Sequence, residues 1–147
     1  MIRQYKKYDF IPLLDFVKSN VNTNFYFTEN NRRIIITNID TLQHILSQSK
    51  IIYIYDNNGE IDGIVLIWNS IGNNINRDYI KLNAINTDIA EKLLTSLLWN
   101  NKKELFVKIN KESSYLTIFK KHKFKFLGDR GSELILKYSN GELNDRK

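Results

Sequence analysis

"YIKLNAINTDIAEKLLTSLLWNNKKELFVKI", Tyr79 to Ile109, contains three hydrophobic rhythms in succession. Tyr79–Ile85 alternates apolar and polar residues, the period of a strand with one face turned inward. Over Asp88–Trp99, residues Ile89, Leu93, Leu94, Leu97 and Leu98 line one side of a helix. Glu104–Ile109 reads as a second strand. Strand, helix, strand in that order predicts a parallel pair joined by a right-handed crossover. Asp88 reads as the N-cap of the helix, with its carboxylate set to accept from the amides of Ala90 or Glu91. Helix N-termini are also natural anion sites, because their first amides point outward at the positive end of the dipole. Whether a carboxylate or a phosphate belongs at this one decides much of what the protein can do.

Upstream, "IIYIYDNNGEIDGIVLIW" (Ile51–Trp68) is a pair of β-rich runs around an Asn-Gly turn, a strong hairpin signal. The second run, Ile61–Trp68, is apolar on both faces and predicts a central strand covered on both sides. Before it, "IRQYKKYDFIPLLDFVKSN" reads as a short strand and a helix. Asp9 is its candidate cap, Pro12 falls in its first turn, and Phe10, Leu13, Leu14 and Val17 face inward. "VNTNFYFTENNRR" is polar and Asn-rich and reads as an irregular loop. "IIITNIDTLQHILSQS" reads as a short strand or turn, then a helix capped by Asp40 or Thr41 with Leu42, Ile45 and Leu46 inward. Downstream, "IGNNINRD" is a loop and "SSYLTIFKKH" a helix capped by Ser113 or Ser114. "FKFLGDRGSELILKY" gives two strands around "GDRG". The resulting order, β-α-α-β-β-β-α-β-α-β-β, predicts an α/β fold: a single mixed sheet with helices on both faces. Residues 1–139 form one domain and 140–147 a polar tail.

The chain has 147 residues, 42% hydrophobic and 26% charged, the balance of one globular domain rather than a disordered chain. It has no cysteine, which removes disulfides and thiolate metal sites. No apolar run reaches a membrane span, and "MIRQYKKYDF" lacks the apolar core of a signal peptide, so a cytoplasmic protein with no membrane partner is expected. The net charge of +6 favours anionic partners. Ile, Asn and Lys are abundant, and their A- and T-rich codons suit an AT-rich bacterial or phage genome, in which case the host cytoplasm or the virion is the expected location.

The last third of the chain, "LFVKINKESSYLTIFKKHKFKFLGDRGSELILKY", resembles the GNAT N-acetyltransferase family. Members often read strand, a helix ending in an aliphatic-Tyr pair, a short turn, Gly-Phe and a strand; Phe124 stands at the Phe position. The resemblance implies the acyl-CoA N-acyltransferase architecture. Strands Tyr79–Ile85 and Glu104–Ile109 would splay, and the pantetheine arm of acetyl-CoA would dock between them like an added strand. Its contacts would fall on Asn83, Ala84 and Ile85, with the pyrophosphate at Asn86, Thr87, Asp88, Ile89 and Ala90. A bound amine would attack the thioester, a base or water chain would take its proton, and an acid, often Tyr, would protonate the thiolate.

The chain departs from the family pattern at three places. The pyrophosphate loop is usually Gln/Arg-x-x-Gly-x-Gly/Ala; here Ile85 stands at the Gln/Arg position, Asp88 at the first Gly, and Ala90 alone fits. Phe119 stands at the usual Tyr position. Tyr115, one helical turn earlier on the same face, is the candidate acid. Lys123 replaces a common Gly in the turn.

In "KKHKFKF", Lys120, Lys121, Lys123 and Lys125 form a basic patch, with Phe124 and Phe126 alternating inward. Lys121 is the candidate contact to the 3′-phosphate of CoA. Aromatics buried in a core cannot also stack on bases, so nucleic acid ranks below CoA as a partner. His44 and His122 lack metal-site spacing. Candidate bases are Glu60, Asp62, Asp78, Glu104 and Glu133, with no pairing among them in sequence. The leading function is acyl transfer from acyl-CoA to an amine. The alternative is a catalytically degenerate GNAT fold that serves as a binding or assembly module, with a protein partner or a second copy of itself. The weaker alternative is a basic nucleic-acid-associated protein.

Overall fold

The computed structural model describes residues 1–70, 77–101 and 103–139. The stretch "IGNNIN" (71–76), from the expected loop "IGNNINRD", and the tail 140–147 lie outside these residues. Strands β1 (Ile2–Gln4), β4 (Ser49–Asn57), β5 (Glu60–Ser70), β6 (Arg77–Ala84), β7 (Leu105–Asn110), β8 (Lys125–Arg130) and β9 (Glu133–Tyr138) form one mixed sheet in the order β1-β4-β5-β6-β7-β9-β8. The pairs are antiparallel apart from β6–β7, which is parallel. Helices α1 (Phe10–Ser19) and α2 (Ile39–Ser47) cover one face; α3 (Thr87–Trp99) and α4 (Leu116–Lys121) cover the other. The expected fold class, the hairpin and the parallel strand-helix-strand unit are all present.

The alternation of β5 divides the core. Ile64, Leu66 and Trp68 pack with α1 and α2, while Val65 and Ile67 pack with α3 and α4. The β4–β5 turn places Asn58 at φ 53° and Gly59 at φ 96°, the left-handed pair of a tight hairpin. At Gly63 a Cβ would lie 2.7 Å from Leu93 Cδ1, so the missing side chain lets α3 sit close against the sheet.

Six sequence expectations need correction. "VNTNFYFTENNRR" is not an irregular loop. It contains β2 (Tyr26–Glu29), which pairs antiparallel with β3 (Arg32–Ile35) around Asn30 and Asn31, both at positive φ. Asn tolerates that region, so an Asn-Asn pair does the work of Asn-Gly. The caps also differ. Asn38, not Asp40 or Thr41, caps α2, accepting from the Thr41 amide. Asp9 does not accept from α1; it receives Lys6 N–H and both Nη atoms of Arg3, at 2.7–2.9 Å, which ties β1 to the start of α1 and holds the Asp9 carboxyl below its usual range. Neither Ser113 nor Ser114 is the cap of the short α4; Tyr115 stands there, and Ser113 Oγ accepts from Tyr115 N–H just before the helix. Finally, the last hairpin turns at Gly131–Ser132 rather than at "GDRG", and Phe126 is exposed although Phe124 is buried. β8 is the sheet edge and lies beyond the cover of α4, so its alternation meets solvent on both sides.

Candidate functional site

β6 and β7 are bridged at a single register pair, Tyr79↔Phe106, and then part. Ile85 N–H bonds back to Asp62 O, so the neighbouring Ala84 directs its own N–H and C=O away from β5, toward the opening. Lys111 N–H bonds to Ser132 O, which turns the Asn110 N–H into the same opening from the other strand. Both strands therefore present backbone groups to a gap in the middle of the sheet.

The protein's own side chains engage those groups. The Tyr115 hydroxyl accepts from Ala84 N–H at 3.0 Å and donates to Ala84 C=O at 3.1 Å. Asn24 Oδ1 accepts from Asn110 N–H at 3.0 Å. Asn83 reaches the other way, donating to Asn20 O at 2.8 Å. The segment between α1 and β2 thus supplies Asn20 and Asn24 to the mouth of the gap, and the end of β7 leads into the loop that supplies Tyr115. Burial raises the Tyr115 hydroxyl above its ordinary pKa, so it is a protonated donor at neutral pH.

At the start of α3, the N-cap is Asn86, whose side chain accepts from Ile89 N–H at 2.9 Å. This corrects the expectation for Asp88. The helix begins one residue earlier, at Thr87, so Asp88 lies within the first turn and pairs instead with Lys92 at 3.2 Å on the exposed face. Asn86→Ala should cost about 1 kcal/mol in denaturant unfolding, whereas Asp88→Ala should stay within about 0.5 kcal/mol. The reverse ranking would return the cap to Asp88.

The fold has counterparts among solved structures. A ribosomal-protein-alanine N-acetyltransferase from Brucella melitensis superposes with a TM-score of 0.70 at 12% identity, over 95% of this chain and 99% of that one. An N-acetyltransferase from Staphylococcus aureus Mu50 gives 0.67 at 18% identity, over 95% and 97%. A PaiA N-acetyltransferase from Thermoplasma acidophilum, in complex with coenzyme A, gives 0.66 at 13% identity, over 95% and 98%. The chain has the GNAT fold. No protein-family model matches it, and no curated protein matches it in sequence.

Within this GNAT fold, the expected contact residues gather around one end of β6. Asn83 and Ala84 end the strand, Ile85 and Asn86 make the whole connection to α3, and Thr87, Asp88, Ile89 and Ala90 form the first turn. Ile89 and Ala90 are buried in the core beneath α3. A cavity of about 440 Å³ beside Ile89 carries Asp56 and Asp62. Another, about 450 Å³, carries Asp88, Glu91 and Lys92. Carboxylates outnumber cations along both walls, a poor setting for a diphosphate.

Lys120, Lys121 and Lys123 are exposed, as expected for the basic patch. Lys121 Nζ pairs with Glu91 Oε2 at 2.9 Å, and His122 Nε2 meets the same oxygen at 2.9 Å. His122 is therefore not isolated in the fold, and the pair hold the Glu91 carboxyl below its usual range. Lys123 has φ 71°, the conformation a glycine would adopt most easily. Phe119 is buried edge-on against Phe124, a core role that needs no hydroxyl.

The opposite face of β6 and β7 carries a polar cluster that the sequence did not reveal. Tyr79, Lys81, Lys108 and Glu133 turn toward the α1/α2 side, where the β2–β3 hairpin covers them. Tyr26 donates to Glu133 Oε2 at 2.7 Å, and Arg33 pairs with the same oxygen at 3.1 Å. Lys81 is 4% exposed, its Nζ 4.0 Å from the centre of the Tyr26 ring and 5.4 Å from that of Trp68. Lys108 stacks on Tyr79 and Arg77 on Phe106. No helix among the described residues is long and apolar enough to cross a membrane, and no group of side chains there is arranged to hold a metal.

Proposed function

We propose that the protein transfers an acyl group from an acyl-CoA thioester to an amine. The observation that carries this reading is the opening between β6 and β7, where Ala84 and Asn110 turn backbone groups toward each other beyond the one bridged pair. An extended arm carrying amides can pair with such groups as a strand would. The fold shared with acetyltransferases, one of them in complex with coenzyme A, supports the same donor.

Tyr115 has two roles in this reading. Its hydroxyl holds the Ala84 groups while the gap is empty, and it stands ready to protonate the departing thiolate. Lys121 remains the candidate partner of the 3′-phosphate, at the expense of its pairing with Glu91. The two-residue connection to α3, its lack of glycine and the carboxylates around it all weaken the grip on a diphosphate, so acetyl-CoA should bind weakly.

Calorimetric titration with acetyl-CoA and desulfo-CoA tests the proposal. Tyr115→Phe frees Ala84 N–H and C=O for the incoming arm, so it should tighten acetyl-CoA binding roughly tenfold, each hydrogen bond being worth about 0.5–1.5 kcal/mol. The same variant should slow transfer, because the acid is gone. If neither form binds acetyl-CoA, the gap is not a donor site. The fold then serves as a binding or assembly module, the reading that the short, glycine-free connection would favour.

A further inference from the structure

We propose that Lys81 is the group that takes the proton from the acceptor amine. This rests on the acyltransferase reading and assigns a role within its site. Lys81 lies on β6 two residues beyond Tyr79, the last residue bridged to β7, and on the same face as Tyr79. It is therefore the first side chain of that face past the point where the strands part. Tyr115 approaches the gap from the other face, with α4. The two groups flank the opening, about 10 Å apart along β6 at about 3.3 Å per residue.

The carboxylates that could act as bases are committed elsewhere. Asp78 is held by Lys50 and Asn69, Glu104 by Lys137, and Asp62 by Asn57. Glu133 is shared between Tyr26 and Arg33, and Glu60 is exposed next to the β4–β5 turn. Lys81 makes no hydrogen bond among the described residues, yet no buried side-chain nitrogen there lacks a partner. Its remaining exposure therefore includes Nζ, and a water can stand at the tip.

The charges facing Lys81 are Lys108 on β7, Arg33 on β3 and Glu133 on β9, with Tyr26 of β2 beneath the amine. Burial, reinforced by Lys108, brings its pKa down to about 7, with the attraction of Glu133 too weak to restore it. A neutral amine is thus available near pH 7. An acceptor ammonium gives up two protons in becoming an amide. One passes to Lys81 Nζ, directly or through the water, and frees the nitrogen lone pair to attack the thioester carbonyl. As the carbon–sulfur bond breaks, the thiolate leaves with its electron pair and takes a proton from Tyr115. Tyr115 is then reprotonated by the second proton, and Lys81 releases its own to solvent.

The test measures acetyl transfer to spermidine, lysine amide and an alanine-initiated peptide between pH 5.5 and 9, in wild type, Lys81→Met and Lys81→Arg. It is accompanied by calorimetry and by the 15N shift of Lys81 Nζ. The wild-type rate should rise through pH 7 as Nζ deprotonates. Both variants should bind acetyl-CoA as wild type does while losing about 10²-fold or more in transfer, together with the pH 7 limb. Unchanged transfer and an unchanged limb in Lys81→Met would overturn the role of Lys81 and leave the acyltransferase reading standing. An Nζ that stays protonated to pH 9 would also overturn it, whatever the activity. Wild type that neither binds acetyl-CoA nor acetylates any of the three amines would overturn both.

Discussion

Glu133→Ala is expected to destabilise the domain by about 2–4 kcal/mol. Glu133 is the carboxylate of the buried face, and its Oε2 serves Tyr26 and Arg33 together. Its removal strands the Tyr26 hydroxyl, which is buried and donates to no other group among the described residues. Arg33 is less affected, because its side chain is partly exposed and can recover water. Lys81 loses the Glu133 charge that raises its pKa, so its midpoint should move below 7. Glu133→Gln, which keeps an acceptor for Tyr26, should recover part of the stability but not the Lys81 midpoint. Urea unfolding of the three proteins measures the first effect and Nζ shifts the second. Equal stability of Ala and Gln variants would mean that the Tyr26 bond contributes nothing.

Lys81→Met is expected to change stability in the opposite direction, and by an amount that depends on pH. In the unfolded chain Lys81 holds its proton up to its ordinary pKa of 10.5; in the fold it holds it up to about 7. Between those values the unfolded state carries the extra proton, so wild-type stability rises with pH across that window. Below about 7 both states are protonated, and the cost of burying the ammonium is present in full. Met keeps the length of the side chain without the charge. It should therefore be more stable than wild type by a few kcal/mol at pH 6, with the advantage shrinking steadily towards pH 10. Denaturant unfolding at pH 6, 8 and 10 follows this directly. Parallel stability curves for the two proteins would mean that Lys81 has the same affinity for its proton folded and unfolded.

Both effects belong to a part of the molecule that sequence pattern alone did not disclose, for one identifiable reason. The hairpin around Asn58–Gly59 and the strand-helix-strand unit from Tyr79 to Ile109 are encoded locally, by turn chemistry and by periods of two and of about 3.6 residues. The alternation of Tyr79–Ile85 was equally plain, and it placed Tyr79, Lys81 and Asn83 on one face. A polar face reads as a solvated face. It is covered here because "NFYFTENNRRII" forms β2 and β3, and the Asn-rich turn between them looked like loop composition. That one hairpin supplies the cover, and the cluster of Tyr26, Arg33, Lys81, Lys108 and Glu133 beneath it draws on members scattered along the chain. The difference at Asp88 is smaller in kind. Asn86 and Asp88 both have cap chemistry, and the two-residue difference between them decides which amides each can reach. The gap residues Asn24 and Asn110 carried no local signal, because their bond joins segments far apart in the chain.

In the proposed donor site, the two-way bond between Tyr115 and Ala84 would make the protein its own competitive inhibitor. Any ligand that seeks Ala84 N–H and C=O finds them occupied by a tethered rival that does not diffuse away. Its apparent affinity is the intrinsic affinity multiplied by the fraction of molecules in which the hydroxyl has swung aside. Association then has a speed limit. At low concentration the observed rate rises with ligand, and at high concentration it levels off at the rate of side-chain release, a first-order constant that belongs to the protein and is the same for every ligand of that gap.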